Sequence, residues 1–308
     1  MAAFCAVGNY CDDCKETFLL RFRELRDECT ALICSKPDVE ELQLLQKSLV
    51  KCQSSIATLT SQEKLNQNTL SNLLVEYAKS VMDKTYVEEC RLVNNEFKDN
   101  DNKQKLLNII EQLSIPEDIA KQFLPRLEND VKAEELLGKD VMECLYWRKG
   151  ALLYMYCNTI YSDNERWTGM LADFIKDCEV GVEFLQKMLI VRRPSQDDKE
   201  SVESRHDSTM ELLKQGIFSD THLLGLMYAG ELCYWHWKTL SLNKNSDPGS
   251  LMTTSGDTTR PLNSLAEGKR FLGRYIRTVR GPLKGMGWDT VKAEQYLDEI
   301  NNVQEVGT

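Results

Sequence analysis

Cys11 and Cys14 form a Cys-x-x-Cys, the spacing that binds zinc or cycles as a redox pair. Zinc needs two further ligands, and neither a second Cys-x-x-Cys nor a histidine pair is present; His206, His222 and His236 stand apart. A redox pair belongs beside a βαβ pattern, which this chain lacks. Asp99 and Asp101 sit in the polar run 98–103 without apolar framing, so a solvated loop is expected there rather than a cation site. His222 and His236 lie fourteen residues apart, and no serine, cysteine or acid near them forms a recognisable nucleophilic set. Phosphate loops of the G-x-x-x-x-G-K-[ST] and G-x-G-x-x-G types are missing, as is a G-x-S-x-G elbow. No catalytic, cofactor-binding or metal-ligating residue is therefore assigned.

Two polar groupings remain. Lys269, Arg270, Arg274, Arg277, Arg280 and Lys284 carry no Asp or Glu between them. Arg270, Arg274 and Arg277 step by four and three, placing them on one helical face that could meet an anionic membrane surface or an acidic partner. The alternative is a solvated face opposite Leu272, Tyr275, Ile276 and Val279, with long side chains lying over it. The second grouping is Trp147, Arg148, Lys149, Tyr154, Asp220, Tyr234 and Trp235, residue types favoured at binding hot spots or, for Asp220, at a helix start. Aromatic residues at helical spacing also pack simply as core, so a rim for a partner and a plain interior are both readings of this set. Glu231, inside an apolar run, is expected to pair with a basic residue across a helix interface.

The elements that position these groups are helices. Val141–Tyr161 and Gly216–Trp237 are rich in Leu, Met, Tyr and Trp, free of proline and apolar on nearly every face, as central helices are. Gly225, Ala229 and Cys233 make a small-residue stripe for close approach of another helix, and Gly150 and Ala151 offer the same in the first segment. Upstream, Phe18, Phe22, Leu25, Cys29 and Leu32 form one stripe and Leu42, Leu45, Leu49, Cys52, Ile56 and Leu59 another. They are separated by Ser35-Lys36-Pro37, with an Asp38/Glu41 capping box, and predict an antiparallel hairpin over 1–65. Helices are expected over 70–77, 81–93 and 106–113, with Pro116 ending the third and Pro125 breaking the next. Further helices are expected over 167–191, 265–279 and 288–300. Ser219 is expected to cap the second central helix, with Phe218 stapled onto Leu223.

The chain is thus expected to be all-α: an irregular multi-helix bundle, or stack of antiparallel helical hairpins, around two central apolar helices. The hairpin would pack on a main domain over 66–303 that carries flexible loops near 194–209 and 241–261. Trp147, Gly150 and Tyr154 are similar to part of a tetratricopeptide unit, but no 34-residue period follows. Apolar residues make up 42% of the 308, enough for a sizeable core, and a net charge of −10 argues against nucleic-acid binding. The opening MAAFCAVGNYCDDC lacks a basic region and a long apolar core, and no run reaches the ~20 apolar residues of a membrane span. Eleven scattered cysteines then read as reduced thiols in the cytosol.

Four stretches carry a resemblance: ECLYWRKGALLYMYC (Glu143–Cys157), GIFSDTHLLGLMYAGELCYW (Gly216–Trp235), NLLVEYAKSVMDKTYVEECRLVNNEF (Asn72–Phe97) and, less closely, GPLKGMGW (Gly281–Trp288). Over roughly residues 70–300 the chain resembles an animal family described as the late-endosomal-Rab-interacting subunit of the Mon–Ccz guanine-nucleotide-exchange complex. The resemblance implies a non-catalytic subunit or adaptor that binds the exchange complex and the late-endosomal Rab GTPase. It implies support for the stability and localisation of that GTPase in endolysosomal traffic, autophagy and mitophagy. A cytosolic protein recruited to late endosomes or damaged mitochondria is expected, with no cofactor. Two other classes stay open: a helical enzyme with a small-molecule pocket between the core helices, and a peripheral membrane adaptor acting through the 269–284 basic stripe.

Overall fold

The computed structural model describes residues 4–62, 65–124, 132–163, 169–192, 213, 216, 218–244 and 261–305, with backbone alone at 4–12, 243–244 and 303–305. The described residues form helices and their connections, with no strand among them. In chain order these are α1 (Phe4–Cys34), α2 (Val39–Ser61), α3 (Gln67–Asn94), α4 (Asn102–Phe123) and α5 (Ala133–Leu137), followed by α6 (Lys139–Ser162), α7 (Leu171–Ile190), α8 (Asp220–Lys244), α9 (Ser264–Arg280) and α10 (Val291–Glu305). The chain divides into two compact units, Met1–Leu145 and Tyr146–Thr308, and the division falls inside α6. That division does not coincide with the boundary considered near residue 65, because α2 also packs along α3. The loops expected near 194–209 and 241–261 lie largely outside the described residues, as does Pro125; Ser241–Lys244 continue α8.

The first unit is a meander of neighbouring antiparallel helices. Lys15 Nζ near the start of α1 donates to the Gln62 carbonyl just past α2, while Cys29, late in α1, meets Ser48 in mid-α2. The turn between them passes through Lys36 in the left-handed region, φ 59°. α2 then starts on the expected capping box: Glu41 N donates to Asp38 Oδ1 at 2.8 Å and Asp38 N to Glu41 Oε2 at 3.3 Å. Phe18, Phe22, Leu25 and Cys29 are buried as their spacing predicts. On α2, however, the buried line is Leu45, Ser48, Cys52, Ser55 and Leu59. The two serines replace leucine at the seam because their small side chains let α3 approach, and Ser48 Oγ donates to the Ser80 carbonyl at 3.0 Å.

α3 is one continuous helix where two were expected, and α4 runs through Pro116 instead of ending there. Proline in a helix interior costs about 3 kcal/mol. Here Leu113, Pro116, Ile119, Ala120 and Phe123 are all buried, so the apolar stripe continues across the proline and offsets that cost. Lys84 is buried between helices and fully engaged: its Nζ lies 3.0 Å from Glu28 and Glu88 carboxylates and 2.6 Å from Gln112 Oε1.

The second unit is built on α8 as a hub, in keeping with apolar residues on every face of that helix. Residues 229–236 of α8 are all buried. One face meets α7, where Leu232 packs at Gly181 and Gly225 sits by Met188 and Leu189; another meets α9, where Gly230 lies under Leu272 and Cys233 by Gly268. Both neighbours run antiparallel to α8. A third face meets α6 and a fourth α10, and these two run parallel to it. The small-residue stripe therefore does not serve one neighbour: Gly225 faces α7 and Cys233 faces α9. The tightest approaches are at Gly230 and Gly150, where an added Cβ would stand 2.5 Å from Leu272 and 2.6 Å from Leu185. Gly281 stops α9 as expected, its N–H bonding the Arg277 carbonyl.

Candidate functional site

Rings from α6, α7 and α8 stack into one continuous column. Trp147 lies on Tyr228 with centroids 5.6 Å apart, Tyr228 on Tyr154 at 3.6 Å, and Tyr154 on Trp235 at 5.5 Å. Trp235 continues to Tyr161 at 5.3 Å and Tyr161 to Phe174 at 6.0 Å. The column forms because parallel α6 and α8 place aromatic residues at successive seven-residue steps (147, 154, 161) against 228 and 235. Beside it, Glu231 is 1% exposed and receives both the Tyr154 hydroxyl at 3.0 Å and Lys292 Nζ at 2.6 Å. The basic partner expected for Glu231 thus comes from α10 rather than from Arg148 or Lys149. Lys292 Nζ also lies 5.6 Å over the Trp235 ring and 5.5 Å over Tyr296, a cation–π arrangement that keeps the ammonium over the rings.

On the α10 side, Tyr296 stacks on Tyr234 at 3.8 Å, and the Trp235 indole N–H points to its hydroxyl at 3.4 Å. Glu299 accepts from Tyr234 at 2.7 Å and from Lys238 at 2.6 Å; these bonds, that from Lys238 first, hold its carboxyl below the usual range. Burial, reinforced by Glu231, pushes the Tyr154 phenol well up. A phenol so raised stays protonated and serves as a donor, not a base.

Of the partner candidates, Trp147 and Arg148 are half-buried and Asp220 is exposed at the start of α8. Lys149, Tyr154, Tyr234 and Trp235 are buried. Lys149 lies 4.6 Å from the Phe184 ring and 5.0 Å from Tyr146. The basic set on α9 is divided. Arg270 pairs with Glu267 and lies 4.2 Å over Phe271, Arg274 is 9% exposed, and Arg277 is exposed with its guanidinium over Gly273. The structure does not bring the three arginines onto one open face: Arg274 is the member nearest in helical phase to the buried Phe271, Tyr275 and Thr278, and it is buried with them while Arg277 stays exposed.

Sequence reasoning missed a second polar set. His236 on α8 contacts Ser264 Oγ of α9 through Nδ1 at 2.5 Å and Glu179 of α7 through Nε2 at 3.1 Å. The three residues are far apart in the chain, so no local pattern signals them. Ser264 is 6% exposed in the first turn of α9, so an acyl carbonyl has no approach to its oxygen; the set ties three helices together. Burial keeps the imidazole below its ordinary pKa despite the opposing Glu179. Ser219 does sit at the start of α8, but its hydroxyl meets the His222 ring at 3.0 Å, and Phe218 lies against that ring at 5.5 Å.

Cys11 and Cys14 both fall on α1, where Cys14 is buried; the side chain of Cys11 lies outside the described residues. Asp99 and Asp101 pair with Lys105. The cysteines whose side chains are described are free thiols. A surface groove of about 500 Å³ opens between α1 and α4, lined by Glu16, Leu20, Arg23 and Phe123. No described helix is long and apolar enough to cross a membrane.

These features define an all-helical protein whose buried charges and rings join helix to helix. The model of the family described as "RAB7A-interacting MON1-CCZ1 complex subunit 1" matches residues 46–301, and the chain belongs to that family. A relative of that description from Danio rerio is 35% identical over 277 residues, covering 90% of this chain and 94% of the relative. Relatives of the same description from Homo sapiens and Mus musculus are 38% and 37% identical, each covering 74% of this chain and 77% of the relative. No solved structure matches the chain. The family match begins within α2, so it includes part of the hairpin that the resemblance left out.

Proposed function

We propose that this protein is a non-catalytic subunit or adaptor of a MON1-CCZ1-type exchange complex and interacts with a RAB7A-type GTPase. The observation that carries the reading is the near full-length match to the Danio rerio relative, whose description names those partners. The buried Lys84, Glu231 and His236 each bind side chains of other helices, which suits a protein that works by association. The half-buried Trp147 and Arg148, with Tyr228 behind them, make a rim in which an aromatic anchor rests on a stacked support; such anchors carry much of an interface's energy. Through its partners the protein would be drawn to late endosomes, or to damaged mitochondria during mitophagy, and would support the stability and localisation of the GTPase there.

The test is co-precipitation of purified full-length protein with the MON1-CCZ1 complex and with the GTPase in each nucleotide state. Wild type is expected to capture the complex. Trp147→Ala is expected to weaken capture at least tenfold with an unchanged melting temperature. A parallel loss of stability would return Trp147 to the core, and no capture by wild type would sink the reading.

A further inference from the structure

The turn between α9 and α10 is a rigid structure with an apolar tip. Its backbone is tied down at each step: Leu283 N–H donates to the Thr278 carbonyl at 3.0 Å, Lys284 to Gly281 at 3.2 Å and Met286 to Leu283 at 3.1 Å. The Tyr275 hydroxyl donates to the Asp289 carbonyl at 2.7 Å from the buried side, and Arg280 pairs with Glu294 across the base. Gly285 and Gly287 take φ of 85° and 87°, left-handed values that glycine adopts at little cost. Between them Met286 is held out with 71% of its surface exposed, next to half-buried Trp288 and to Val291 at 57%. A mobile tail would let such residues fold back; this turn fixes Met286 in the open.

Two kinds of surface could receive the knob, and magnitudes decide between them. Stable membrane attachment takes two signals, a sizeable apolar insertion together with a basic patch or second anchor. Here the projecting apolar part is chiefly one methionine. Arg277, Arg280 and Lys284 are offset by Asp289 and Glu294, in a chain of net charge −10. A protein socket asks for less area and rewards a side chain already held in its bound position, since little freedom is lost on docking. Methionine suits such sockets because its thioether adapts to irregular walls.

We infer that the 281–291 turn is a docking knob for a folded partner: Met286 enters an apolar socket whose rim carries a carboxylate for the exposed Lys284. The inference rests on the subunit reading above and assigns that reading a contact surface separate from the Trp147 rim. The turn's exposure means that its side chains can be changed without touching the core.

The experiment measures binding of full-length protein to purified MON1-CCZ1 complex, with melting temperature recorded for every variant. Met286→Asp is expected to weaken binding at least tenfold, Met286→Leu to retain most of it, and Lys284→Glu to cost severalfold with a reduced salt dependence. All three should melt with wild type. If wild type fails to bind, both the subunit reading and the knob fall. If wild type and Met286→Asp bind equally, the knob alone falls. Sedimentation of wild type with phosphatidylserine vesicles, abolished in Met286→Asp while complex binding is kept, would overturn the protein socket in favour of a membrane.

Discussion

The two compact units handle a buried ion in opposite ways. In the first, Lys84 is the buried partner, 3% exposed in its side chain, and its carboxylates Glu28 and Glu88 remain 49% and 26% exposed. In the second, the carboxylate is buried, Glu231 at 2%, and its cation Lys292 is 49% exposed. Lys84 of α3 reaches Glu28 of α1 and Gln112 of α4, in a unit whose helices otherwise pack mainly on their chain neighbours. Glu231 belongs to a hub helix that packs on α6, α7, α9 and α10. A defect in the meander should be felt mainly by the helices it touches, whereas a defect in the hub helix should be felt by its neighbours on every face.

The largest test of that difference is Trp235→Ala. The ring stacks on Tyr154 and Tyr161 and bonds Tyr296, so its loss opens a cavity touching three helices, at about 3–5 kcal/mol. Phe22→Ala removes a ring that contacts Phe18 and Tyr77, with a cost in the same range. The two should differ in reach. Hydrogen exchange is expected to quicken along α6, α8 and α10 in the tryptophan variant, but only along α1 and α3 in the phenylalanine variant. Equal spread in both would dissolve the distinction between hub and meander.

Acid should separate the units next. Burial, with Arg192 nearby, pushes the His222 imidazole down to about 4, and the ring is 1% exposed. Above pH 6.5 the histidine is neutral folded or unfolded, and its environment costs nothing. As pH falls below 6.5 the unfolded chain gains a proton that the folded chain refuses, so stability declines until the folded ring also protonates near 4. A gap of that size amounts to roughly 3 kcal/mol. His236 acts in the same direction. In the first unit the corresponding group is Glu41, whose carboxyl is lowered mainly by its bond to Arg91; its contribution is lost only as pH falls through that depressed value, below 4.5. Exchange measured at pH 7 and pH 5 should therefore rise in 146–308 before 1–145, and His222→Gln should blunt the rise.

The buried ions give a smaller contrast. Lys292→Met strands a buried carboxylate whose remaining hydrogen bond among the described residues is the one from the Tyr154 hydroxyl, at an expected cost of about 2–3 kcal/mol. Lys84→Met removes the buried charge itself; Glu28 can reach water but Glu88 Oε2 is buried, so about 1–2 kcal/mol is expected. Denaturant titration of both variants checks the order, and a greater loss for Lys84→Met would reverse the account.

Much of the first unit was legible because its helices are one-sided. The Phe18–Cys29 stripe and the Asp38/Glu41 box lie where spacing places them. Ser48 escaped because a hydroxyl reads as polar until a neighbouring carbonyl, here that of Ser80, is seen to accept from it. Pro116 misled because the rule for proline is local, while the buried stripe that overrides it is tertiary. In the second unit the same method identified the hub segment as buried on several sides. It could not say which ring meets which, since a helix apolar all round carries no phase. His236, Ser264 and Glu179 join through three separate segments, and the Arg274 side chain turned inward from a stripe that charge spacing alone would have left exposed.

Glycines on α8 test the hub at the finest scale. At Gly230 an added Cβ would lie 2.5 Å from a Leu272 methyl and 3.3 Å from the Leu272 backbone nitrogen, so α9 itself must move. At Gly225 the nearest atom is Met188 Sδ at 3.4 Å, at the flexible end of a side chain. Alanine gains about 1 kcal/mol over glycine inside a helix wherever it fits. Gly225→Ala should therefore be neutral or stabilising by up to that amount. Gly230→Ala should lose the gain to overpacking and destabilise by about 1–2 kcal/mol net. Thermal melts of the two variants would resolve opposite signs. If Gly230→Ala proved as stable as Gly225→Ala, α9 would not be held against the hub by backbone contact, and the comparison between hub and meander would rest on the aromatic column alone.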